Sequence, residues 1–148
     1  MSLSSRQSPR EPTTALKFDP AILRDEKLLV SEVERILGLN RQVASRIIGR
    51  TSSTAYRRVH EIIASALDRF IASPRYDPSL LIDLSKALIM VRYQASRDQI
   101  SEALADYLDN VLRSVIDEAK SNWDNAKRLA RNARIIIDAL AVLVYEYT

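Results

Sequence analysis

The chain has no cysteine, a single histidine (His60), two glycines and an aromatic share of only 6% over 148 residues. Each scarcity excludes something. Without cysteine there can be no disulfide and no thiolate metal site. One imidazole cannot build a zinc centre, and the carboxylates do not cluster as an oxygen-ligated cation would need. The two glycines, Gly38 and Gly49, stand too far apart for a phosphate-cradling loop and read instead as helix ends. No apolar run reaches the roughly 18 to 20 residues of a membrane span, and the opening MSLSSRQSPREPTT lacks the apolar core of a signal peptide. A cytoplasmic chain without a membrane segment is the expectation.

What is plentiful is Ala, Leu, Ile and Arg, which favour helices and make poor hairpins. A hydrophobic share of 47% supports one core, in a chain too short for a second ordinary domain. The expected fold is all-α, a single-domain bundle of five to six helices over residues 19–148. Residues 1–18, rich in Ser, Pro, Thr and Arg, are expected to form a disordered tail.

Apolar positions at three-and-four spacing mark the helices. Leu28, Leu29, Val33, Ile36 and Leu37 form the first stripe, ended by Gly38, and a short helix from about Arg41 to Ile48 is closed by Gly49. Thr51 to Thr54 offers capping oxygens for the most amphipathic segment, whose apolar positions run from Ala55 to Ile71. Asp77-Pro78 is a start signal for the next helix, to about Ser96; being the least charged, it is expected to lie centrally. Leu104 to Ile116 and Leu129 to Val144 supply two further stripes, the last capped by Ser121 or Asn122.

Charge is segregated. Residues 41–76 carry seven arginines against Glu61 and Asp68, whereas residues 77–121 carry more acids than bases. One basic and one acidic surface are expected.

An enzyme is not expected, and no catalytic residue, metal or cofactor follows from the inventory. His60 has no serine placed as a partner, and Asp106, Asp109, Asp117 and Glu118 read as the outer face of an amphipathic helix. The basic stripes are the candidates. Lys127, Arg131 and Arg134 fall within about 60° on the last helix, and Lys86, Tyr93 and Arg97 within about 40° on the fourth. Arg57 and Arg58 open the third helix beside its Ser/Thr-rich cap. Cations flanking an aromatic can track phosphates and stack a base. The plainer readings are a Tyr93 that packs at the bundle edge, and salt bridges that absorb the bases: Arg57 with Glu61, Lys127 with Asp124, Lys86 with Asp83.

Three segments, in order, resemble the small subunit of type III-A CRISPR effector complexes, the Csm small subunit. They are TSSTAYRRVHEI (Thr51 to Ile62), VRYQASR (Val91 to Arg97) and DALAVLVYEY (Asp138 to Tyr147). The likeness covers about residues 50–148. The chain departs from the family in having Ser96 where Gly is frequent, and Lys86 farther from its Tyr than the family's usual basic residue. The resemblance implies a helical, non-catalytic protein of antiviral defence, self-associating in several copies beside other subunits of the complex. Its basic face would support the guide RNA and the target RNA paired with it. Carried over, the RNA-facing residues are Arg57, Arg58 and Arg97, with Lys86 as a looser match; Lys127 and Arg131 rest on charge alone.

Two alternatives accompany this one. Residues 33–48 have the apolar spacing of a DNA-binding helix-turn-helix with Gly38 at the turn, though Glu34 stands where a small residue normally lets the helices touch. A helical structural adaptor would use the acidic helix as its partner surface.

Overall fold

Local chemistry places every helix end in the computed structural model, which describes residues 16–148. A 3-10 turn at Pro20–Leu23 precedes six α-helices: α1 Glu26–Leu37, α2 Arg41–Ile48, α3 Ser53–Ala72, α4 Pro78–Ser96, α5 Glu102–Ala119 and α6 Trp123–Tyr147. The fold is all-α, with no strand among the described residues. Asp25, Asn40, Ser52, Asp77, Ser101 and Asn122 cap the six helices, each accepting hydrogen bonds from amides that have no partner within the first turn. Gly38 and Gly49 end α1 and α2, and Gly49 takes φ 57°, a conformation costly for a residue with a Cβ.

The four long helices run alternately up and down, and each packs on the next, with α6 closing the ring against α3. Tyr56, Phe70, Leu84, Leu104, Leu108, Leu129 and Leu140 are among the fully buried side chains of one core. The helix α1 lies over α6, and α2 packs across α5 and α6 through Ala44, Ile47 and Ile48.

Three expectations change here. The expected tail runs to residue 18, but Leu16 and Phe18 are core residues, and the Phe18 ring meets Tyr107 edge-on at 5.2 Å. The rest of that expectation, residues 1–15, lies outside the described residues. Second, α4 is peripheral: it packs chiefly on α3 and α5 and leaves Ile82, Ile89 and Tyr93 exposed. Its few charges suggest a central place, but its apolar positions are spread around the helix. The central element is α6, where alanines at 126, 130, 133, 139 and 141 let neighbours approach from several sides.

Third, the acidic surface is largely neutralised. Asp109 is buried, not on an outer face, because Arg92 of α4 reaches across to it at 2.8 Å and Arg113 bonds it from the next turn. Arg92 also meets Asp106 at 2.9 Å and Glu102 at 3.6 Å. Asp83 pairs with Arg69, Asp98 with Arg50, Glu118 with Arg24 and Asp117 with Lys120. Apart from the capping Asp77, every acid of residues 77–121 therefore has a basic partner.

Candidate nucleic-acid interface

The up-and-down order brings the start of α3, the end of α4 and the end of α6 to one end of the bundle, and backbone and hydroxyl bonds lock the connecting loops there. Ser52 N donates to Gln99 O at 2.8 Å, and Ser101 N donates to Thr51 Oγ1 at 2.9 Å. Ser101 Oγ donates to Ile47 O at 2.6 Å, tying the end of α2 to the start of α5. Between the helices, Asp98 turns the chain with φ 61°, which a short polar side chain tolerates better than most.

At this end three arginines each lie against a tyrosine. The Arg41 guanidinium is 5.2 Å from the Tyr147 ring centroid, Arg57 is 5.4 Å from Tyr145, and Arg97 is 5.5 Å from Tyr93. Such contacts contribute about 0.5–1 kcal/mol at exposed sites and hold a flexible cation in place. Burial pushes the Tyr145 hydroxyl pKa up, an effect that neighbouring Arg57 partly counters. Tyr93 is 51% exposed and Tyr145 36%, so both side chains remain partly accessible at this end.

Among the described residues no carboxylate lies within ion-pair distance of Arg41, Arg57, Arg58 or Arg97. The pairing of Arg57 with Glu61 that the spacing allows is not made; the ring of Tyr145 holds Arg57 instead. Adjacent in sequence, Arg57 and Arg58 diverge by about 100° around α3. Arg57 leans toward α6, and Arg58 enters a cavity of about 320 Å³ between α3 and α4, lined also by Ser52, Tyr93, Gln94 and Arg97. An anion in this cavity would meet two arginines on its lining that have no carboxylate partner among the described residues.

Of the residues singled out from sequence, Arg57, Arg58, Tyr93 and Arg97 thus share one end. Lys86 lies two turns, about 10 Å, along α4 from Tyr93, exposed and, among the described residues, without a carboxylate partner, while Asp83 is engaged by Arg69. The remaining three belong elsewhere. Arg134 is bound to both Asp68 and Asp138, and Lys127 Nζ donates to the Ser73 carbonyl at the far end of α3. Arg131 is exposed on α6, but about 21 Å along the helix from Tyr145. The basic stripe expected on α6 is thereby split: its cations stabilise the bundle or face away from the arginine–tyrosine end. Sequence reasoning missed Arg41, Tyr145 and Tyr147 as members of the site, because the pairing of α2 and α3 with the end of α6 carries no local signal.

Among the described residues no group of His, Asp or Glu is arranged to hold a metal ion, and no helix is long and apolar enough to cross a membrane. Comparison with protein-family models, with curated proteins and with solved structures finds no match to this chain.

Proposed function

We propose that this chain is a non-catalytic RNA-binding subunit of a larger assembly, the role implied by its resemblance to the small subunit of type III-A CRISPR effector complexes. Guide RNA and its paired target RNA would lie against the arginine–tyrosine end. The observation that carries this reading is the set of three arginines held on tyrosine rings without a carboxylate partner. Arginine donates to phosphate oxygens in a planar fork, and an exposed ring offers a face to a base or ribose.

The helix-turn-helix alternative has less support. In that motif the two helices pack on each other, whereas α1 and α2 each pack chiefly on α6. The adaptor alternative needs an acidic partner surface, and most of those acids are already paired.

Binding to single-stranded RNA, to guide–target RNA duplex and to random DNA duplex, measured at two salt concentrations, tests the proposal. RNA binding should weaken steeply with salt. Arg58→Ala combined with Arg97→Ala should lower RNA affinity without sequence preference and flatten the log–log salt slope by about 0.7 for each phosphate no longer neutralised. Circular dichroism should show unchanged helicity. Preference for the DNA duplex, or RNA affinity unchanged in the double variant, would sink the assignment.

A further inference from the structure

The cavity between α3 and α4 differs from an open phosphate track in containing a nearly buried amide. Gln94 is only 8% exposed and lines the cavity with Arg58, Arg97, Tyr93, Ser52 and Gln99. Among the described residues its side-chain amide has a single partner, Met90 Sδ at 3.6 Å, and its carbonyl oxygen accepts no hydrogen bond. A primary amide offers two donors and two acceptor lone pairs, and most of this capacity has no protein partner and is open to the cavity.

The second amide, Gln99, comes from the loop that closes the cavity; its Nε2 makes only a long hydrogen bond, 3.4 Å, to the Arg97 carbonyl. The cavity therefore combines three chemistries within about 320 Å³. It has two guanidinium groups beside the capped start of α3, a half-exposed tyrosine ring, and two amides with spare donors and acceptors. That volume lies at the low end of the roughly 300–1,000 Å³ typical of small-ligand sites, a size suited to a single nucleotide.

On the reading that this end of the bundle holds RNA, we infer that the Arg58–Gln94–Arg97 cavity receives a single unstacked nucleotide. The phosphate sits between the Arg58 and Arg97 guanidinium groups and the base edge meets the Gln94 and Gln99 amides, with Tyr93 against one face. The surface around it tracks backbone; the cavity singles out an unpaired position. The same chemistry could be supplied by a nucleotide within a strand or by a free one.

The full chain titrated with a continuous RNA duplex, with the same duplex carrying one unpaired nucleotide, and with adenosine or uridine monophosphate separates these. The duplex with the unpaired nucleotide should bind about tenfold more tightly, the scale of one base–aromatic stack. Gln94→Met, and independently Gln99→Ala at the cavity mouth, should remove that difference and leave affinity for the continuous duplex unchanged. A monophosphate that shifts the Gln94 and Gln99 side-chain amide resonances, with no discrimination between duplexes, would support the cavity and assign it to a free nucleotide. Equal binding of both duplexes with no monophosphate shifts overturns the cavity inference while leaving the RNA-holding role standing. Failure of both duplexes to bind, again without monophosphate shifts, overturns both.

Discussion

Arg97 Nη1 donates to the Tyr93 hydroxyl at 2.9 Å while its guanidinium lies 5.5 Å from the centroid of the same ring, one turn away on α4. The two side chains fix each other at an exposed helix end, where an arginine would otherwise sample many rotamers. Ordering them before a ligand arrives reduces the entropy lost on binding.

This pairing separates two contributions of Tyr93. Tyr93→Phe keeps the ring and removes the hydroxyl that Arg97 uses, so RNA affinity should fall by about threefold or less, within the worth of one exposed hydrogen bond. Tyr93→Ala removes the stacking face as well and should cost about tenfold. Equilibrium binding to one RNA at fixed salt checks both, and identical losses in the two variants would assign the whole effect to the hydroxyl.

The α6 cations should behave differently. Arg134→Ala removes a side chain shared by Asp68 and Asp138, and stability to urea should fall by about 1 kcal/mol, as for a partly exposed ion-pair network. RNA affinity should not change, and Arg131→Ala should alter neither quantity measurably. A loss of RNA binding in either variant, with the fold intact, would restore the stripe on α6 as an RNA-binding surface.

Asp109 provides a pH signature of the fold. Burial alone would push its carboxyl up, but hydrogen bonds from Arg113 and Arg92 outweigh that and hold it below the ordinary carboxylate range. A carboxyl whose folded-state pKa is depressed contributes stability above its unfolded value of about 3.9, and loses it as pH falls through the lower folded value. Asp109→Asn should therefore destabilise the bundle at pH 7 by about 2 kcal/mol, because it removes the negative charge and puts an NH2 in place of one of the two oxygens that accept from Arg92 and Arg113. The wild-type advantage should shrink as pH falls below about 4. Urea unfolding at pH 7 and pH 3 measures this; a constant gap at both would rule out ionised Asp109 as the source.

Helix boundaries are legible in the sequence because their chemistry is local. Gly38, Gly49 and Asp77-Pro78 mark helix ends through φ preference and capping bonds that span four residues or fewer, and the three-and-four apolar stripes give the buried face of α3, α5 and α6. The candidate site was legible only in part: Arg57, Arg58, Tyr93 and Arg97 were visible as basic residues beside an aromatic. Whether each base meets a carboxylate, a ring or solvent is a different kind of question.

The chain itself determined an all-helical fold, its punctuation and the supply of arginine and tyrosine, since propensity, capping and amphipathic period act over a turn or two. Tertiary structure alone decided which cations stay available. Arg134 is claimed by Asp68, 66 residues away, while Arg41 and Arg57 meet tyrosines at the opposite end of the sequence. Helix rotation and packing order set those encounters, and neither is encoded in the spacing of neighbours.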